Sequence, residues 1–97
     1  MGETTGAQVS VRLPPTLLQV VGGPRVVGVR GGTVQAALED LVRQRPELAV
    51  HLFDESGAVR LNVLVVCDGV FRGRGESLDV AVAEGAEIGI VQAMSGG

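Results

Sequence analysis

The sequence contains no tryptophan, no tyrosine and no lysine, and only one cysteine, one histidine and two phenylalanines in 97 residues. Each shortage removes a class of function. With a net charge of −3 and almost no rings, the chain offers neither the electropositive stripe nor the stacking platform that nucleic acid needs, so no nucleic-acid partner is expected. One cysteine cannot close an internal disulfide. Cys67 and His51 together fall short of the three or four protein ligands of a zinc centre, and no metal site is expected. Without lysine there is no G-x-x-x-x-G-K-[ST] phosphate loop, and neither GVRGG nor RGRGE fits G-x-G-x-x-G between a strand and a helix. The longest unbroken apolar run, Val63–Cys67, is far below the roughly 18 residues that span a bilayer, so no membrane partner is expected. The opening MGETTGAQ carries an acid and no basic n-region; no signal peptide and a cytoplasmic address are the expectation.

What is present reads as an ordinary globular composition: 45% hydrophobic residues, with 11 acidic against 8 basic side chains. The length suits a single domain over residues 1–97. QVSVRL (8–13) alternates with a period of two and predicts a strand, ended by Pro14-Pro15. Residues 17–21 read as an apolar connector and Gly22-Gly23-Pro24 as a turn. RVVGVR (25–30) predicts a second strand. Thr33 then stands at an N-cap, and Val34, Ala37, Leu38, Leu41 and Val42 recur at i, i+3, i+4, i+7, i+8, the apolar stripe of a helix that Pro46 ends. Residues 48–53 suit a further helical turn. RLNVLVVC (60–67) is a strand, apolar on both parities, and Asp68-Gly69 predicts a tight hairpin with Val70–Arg72 returning. Residues 78–82 read as a short extended piece and EIGIVQA (87–93) as the last strand. A single main helix covers one face of one sheet, which gives a two-layer α+β domain.

Few residues are candidates for chemistry. Cys67 with His51 is a conceivable nucleophilic pair, but Cys67 closes an apolar strand, where a free cysteine behaves as a small buried hydrophobe. Asn62 is the one polar residue inside that strand and reads as a backbone or edge hydrogen-bonding group. With one helix, one sheet face lacks cover, so either Leu64 and Val66, or Val63, Val65 and Cys67, are partly exposed as a partner surface. Finally the chain ends Ala93, Met94, Ser95, Gly96, Gly97. A side-chain-free pair can thread a carboxylate through a narrow channel where any larger residue would clash.

Three stretches carry a resemblance to a known family: TVQAALEDLVRQRPELAVHLFDESGAVR (33–60), LNVLVV (61–66) and LDVAVAEGAEIGIVQAMSGG (78–97). Together, over about residues 8–97, they resemble the ubiquitin-like sulfur carriers of the ThiS/MoaD family, most of all its CysO-type branch. LNVLVV looks like the family's F-V-N-V-Y-V strand, with Asn62 at its asparagine. The last stretch is similar to L-x-T-P-V-x-D-G-D-E-V-x-I-x-P-A-V-A-G-G. Ala86 and Gln92 depart from that pattern, and Val66–Gly69 (VCDG) stands where the family often has N-x-E-D.

The resemblance implies a β-grasp fold: a mixed sheet of four to five strands, one main helix on one face, and a flexible tail over 93–97. It implies a carrier and not an enzyme. A ubiquitin-activating-type adenylyltransferase, itself binding ATP and Mg²⁺, would join the Gly97 carboxylate to AMP, and a sulfur donor would convert it to a thiocarboxylate. A biosynthetic enzyme would then accept the sulfur, for cysteine, a molybdopterin, a thiazole or a secondary metabolite. This chain would bind no cofactor. Gly97 would carry the sulfur, Gly96 would supply thinness, and Ala93, Met94 and Ser95 would form the neck. Val63, Leu64, Val65 and Val66 would offer a partner surface, with Ile88 and Ile90 building the sheet. A ubiquitin-like protein modifier and a non-catalytic β-grasp interaction module are the alternatives. Arginine in place of lysine throughout reads as the codon bias of a GC-rich genome; under the resemblance, the same choice would leave no side-chain amine to capture an activated carboxyl.

Overall fold

A computed structural model describes residues 6–92. Strand β1 (Ala7–Arg12) sends Val9 and Val11 inward and leaves Gln8 and Arg12 exposed, the alternation of a half-buried strand. Pro14-Pro15 stops it, and Pro15 begins a helix, a position where proline's missing N–H costs nothing. This helix, α1 (Pro15–Val21), corrects the expected connector. Its burial is anchored by Leu17, and Gly22 closes it at φ 73°. A distant side chain secures the short helix: Arg45 Nη2 donates to the carbonyls of Gly22 (3.0 Å) and Val21 (3.4 Å), two of the acceptors that a helix C-terminus leaves orphaned.

Strand β2 (Val26–Gly31) pairs antiparallel with β1. The main helix, α2 (Val34–Gln44), starts as expected, with Thr33 Oγ1 accepting from the Ala36 N–H at 3.0 Å. Val34, Ala37, Leu38 and Leu41 form its buried stripe. Segment 78–82 lies against this end without becoming a named strand; the Val34 and Gln35 N–H groups donate to the carbonyls of Val80 and Leu78. After Pro46 a 3₁₀ turn (Pro46–Leu48) leads into α3 (Ala49–Leu52), so the helical reading of 48–53 is right for most of its length.

Strand β3 (Val63–Cys67) begins three residues later than its apolar pattern suggests. The Arg60 N–H bonds the Leu52 carbonyl, Arg60 Nε bonds the Val50 carbonyl, and the Val63 N–H reaches back to the Arg60 carbonyl, so 60–62 is a turn. Asn62 lies exposed in that turn and not within the strand. Asp68 (φ 54°) and Gly69 (φ 79°) make the tight hairpin to β4 (Val70–Arg72), both in the left-handed region that such a turn requires. Strand β5 (Glu87–Gln92) completes a five-stranded sheet in the order β2-β1-β5-β3-β4. β1 and β5 run parallel and the other neighbours antiparallel, so the sheet is mixed.

One face of this sheet lies under α2. Val9, Val11, Val27, Val29, Val63, Val65, Ile88 and Ile90 meet the helix stripe together with Leu48 and Leu52, and among the described residues no polar or charged one is buried with them. The β2 edge is sealed by side chains of α2. The Arg30 N–H donates to Asp40 Oδ2 (3.0 Å), and Gln44 Nε2 donates to the Gly28 carbonyl (2.9 Å). These bonds occupy groups that an unprotected edge strand would present to another chain.

Candidate functional site

Parity assigns every sheet residue to a face. On β3, Val63, Val65 and Cys67 point into the core, whereas Leu64 and Val66 stand half-buried on the face that α2 does not cover. The structure removes two members of the expected partner surface: Val63 and Val65 are 1% and 2% exposed and cannot touch a partner. Ile88 and Ile90 are likewise core residues. The surface gains two members that the sequence reading left out. The hairpin register sets Phe71 opposite Val66, and β5 sets Val91 opposite Leu64. They are 55% and 39% exposed. The Asp-Gly turn would have revealed Phe71, because a two-residue hairpin fixes the register; Val91 could be placed only once β5 was known to pair with β3.

Leu64, Val66, Phe71 and Val91 form an apolar patch whose floor is made by glycine. A Cβ on Gly89 would fall 2.8 Å from Val66 Cγ1, and one on Gly73 2.9 Å from Leu64 Cδ2, so both side chains lie down over glycines. Beyond the patch the same face turns polar, with Gln8, Ser10 and Arg30 and with Arg12 paired to Glu87 at 2.9 Å. An apolar centre with a charged rim is the layout of a docking surface.

The patch runs into a groove of about 590 Å³ between the end of β5 and the start of α1, with Pro14, Thr16, Arg25, Gly89, Val91 and Gln92 in its lining. Thr16 Oγ1 donates to Gln92 Oε1 at 2.8 Å and ties the last residue of β5 to α1. The expected tail, Ala93, Met94, Ser95, Gly96 and Gly97, lies outside the described residues.

The other sequence candidates separate. Cys67 is buried at the end of β3, where desolvation and then the neighbouring Asp68 charge raise its pKa and keep the thiol protonated. His51 belongs to α3, in the helical layer. Among the described residues no three His, Cys, Asp or Glu side chains cluster as metal ligands would, and no helix is long and apolar enough to cross a membrane.

A mixed five-stranded sheet in this order, one main helix on one face and a last strand running toward the C-terminus define a ubiquitin-like β-grasp protein. The ThiS family model matches residues 17–97, and the chain belongs to that family. It is similar to SAMP1 from Haloferax volcanii (29% identity, TM-score 0.79, covering 94% of this chain and all of that one). It is similar also to Mycobacterium tuberculosis CysO (26% identity, TM-score 0.74, 89% and 99% covered). The Amycolatopsis orientalis BexX/CysO complex shares the fold at 24% identity and TM-score 0.74, with 92% and 99% covered. Comparison with curated proteins finds no match. The chain is thus a small ubiquitin-like protein of the sulfur-carrier and modifier type, non-catalytic in itself.

Proposed function

We propose that this chain carries sulfur as a thiocarboxylate at Gly97. The observation that carries the reading is the reach of the ThiS family match, which runs through residue 97 and so includes the Gly96-Gly97 end. A carboxylate is a poor electrophile, so an activating partner must first join it to AMP. The Gly97 oxygen attacks the α-phosphorus of ATP, bound with Mg²⁺ by that partner, and pyrophosphate leaves. A sulfur donor then displaces AMP, and the resulting thiocarboxylate is a nucleophile at neutral pH that a biosynthetic enzyme can use. Gly96 leaves room in the partner's channel, Ala93, Met94 and Ser95 span the distance from Gln92, and Leu64, Val66, Phe71 and Val91 offer the docking patch. The setting for this chemistry is cytoplasmic.

Intact-mass measurement of the chain purified from its native host tests the reading. The expected result is a fraction heavier by the exchange of one oxygen for one sulfur, lost when Gly97 is deleted. An unmodified C-terminus after incubation with the cognate adenylating enzyme, ATP and a sulfur source would overturn it. The similarity to SAMP1, named a small archaeal modifier protein, favours a second reading in which Gly97 is joined to lysines of other proteins. In the same measurement that reading appears as a ladder of higher-mass conjugates.

A further inference from the structure

We propose that the slot between the second half of β5 and the first turn of α1 is a strand-addition site for an extended, acid-bearing peptide segment of the activating partner; the identity of that partner rests on the carrier reading above. The ladder between β1 and β5 stops early. β1 pairs with β5 only from Ser10–Glu87 to Arg12–Gly89, while β5 continues to Gln92. β1 cannot follow, because the next residue due to donate toward β5 is Pro14, which has no N–H, and Pro14-Pro15 leads into α1 while Leu13 keeps its N–H on the Arg25 carbonyl of the β2 side. The Ser10 N–H bonds the Ala86 carbonyl, so even-numbered residues of this segment direct their backbone groups toward β1. By that alternation the Ile90 carbonyl and the Gln92 N–H face the slot beyond the point where β1 has left.

The molecule treats its edges differently. Side chains of α2 close the β2 edge at Gly28 and Arg30, whereas the inner edge of β5 opens into the 590 Å³ groove. Three added residues would span about 10 Å, the stretch from Ile90 to Gln92. The Thr16–Gln92 bond lies on the core side of the sheet, since Gln92 shares its parity with buried Ile88 and Ile90, and so it floors the slot without filling it. The groove is continuous with the apolar patch through Val66, Gly89 and Val91.

Charge selects the occupant. Of the two arginines lining the groove, Arg12 is paired with Glu87, while Arg25 is exposed and has no ion-pair partner among the described residues. An acidic side chain on the incoming strand complements it. Position supplies the purpose. Gly96 and Gly97 offer no side chains, so a partner can grip them only through their backbone. A strand begun beside Gln92 sets the register for gripping the residues that follow.

The test is an NMR titration of the full ¹⁵N-labelled chain with the probe acetyl-Val-Glu-Val-Glu-Val-amide. Shifts centred on Leu13, Thr16, Arg25, Ile90 and Gln92, with slowed exchange of the Gln92 amide, are expected. Gln92→Pro removes the N–H and should abolish those shifts, while Gln92→Ala, which keeps it, should bind within about twofold of the native chain. Arg25→Glu should weaken the probe by about tenfold. Shifts confined to Leu64 and Phe71, no shifts at millimolar probe, or undiminished binding by Gln92→Pro would each overturn the proposal. A Gln92 amide already protected in the free chain and released by deleting 93–97 would give the slot to the chain's own tail. Slot shifts that depend on protein concentration would give it to a second copy. Either result overturns the proposal. The titration uses no ATP, sulfur donor or activating enzyme, so its failure leaves the carrier reading to the mass measurement at Gly97.

Discussion

The two faces of the sheet are built from the same residue types and do different work. Under α2, Val9, Val11, Val63, Val65, Ile88 and Ile90 meet the helix in a core that holds no polar or charged residue among those described. On the far side, Leu64, Val66, Phe71 and Val91 face outward with glycines beneath them. The covered face holds the fold together, and the open face keeps its apolar side chains without cover from the helix. Hydrophobicity alone does not tell the two apart; the helix does.

The largest expected effect tests the covered face. Leu41→Ala, at a fully buried site, should cost about 2–5 kcal/mol in urea unfolding, while Leu64→Ala on half-buried ground should cost about 1 kcal/mol or less. Equal losses would break the comparison. A sharper version uses glycines in ordinary backbone conformations. A Cβ on Gly31 would collide with the Ala37 backbone nitrogen, where neither strand nor helix can give way, so Gly31→Ala should cost about 1–3 kcal/mol. A Cβ on Gly89 meets only the end of the Val66 side chain, which can turn aside, so Gly89→Ala should cost under about 1 kcal/mol and raise Val66 from the surface. Next, Phe71→Ser should leave the melting curve within about 0.5 kcal/mol of the native one. It should nevertheless weaken binding to the activating partner, as measured by calorimetry.

The smallest effect belongs to a contact on neither face. Asp54 accepts from the Ser56 hydroxyl (2.6 Å), the Ser56 N–H (2.8 Å) and the Ala58 N–H (3.2 Å), and it pairs with Arg74, tying loop 54–58 to loop 73–77. The Ser56 hydroxyl first, and then Arg74, hold its pKa well below the usual carboxylate range. Because the folded value lies below the unfolded value of about 3.9, the contribution is complete above that pH and shrinks as the pH falls toward the folded value. Melts at about pH 6 and about pH 3 should therefore converge for the native chain and Asp54→Asn as acid is added. A gap that persists at the lower pH would show that the contact acts through packing and not through charge.

The elements that could be read in advance are those governed by neighbours in the chain: the Thr33 cap, the α2 stripe, the Pro46 stop and the Asp68-Gly69 turn. Helix α1 was hidden because four apolar residues between Pro-Pro and Gly-Gly show no full period, and its C-terminus is held by Arg45, more than twenty residues away. The exposed parity of β3 was undecidable for a similar reason. Both parities are apolar, and only the choice of covering helix separates Leu64 from Val65. The groove depends on β1 and β5, the two ends of the described chain, lying side by side, a pairing no local pattern encodes. Of the candidate site, the sequence pattern marked the diglycine end as a feature and Leu64 and Val66 of the open-face patch, and gave no signal for Thr16 or Arg25.

Asp40 and Gln44, on their ordinary surface helix, have one more effect. A bare strand edge can pair with the same edge on any other copy of the chain, and such encounters become more frequent as the protein is concentrated. By occupying the outer rim of β2 with their own side chains, these two residues let the molecule be crowded without zipping into fibres.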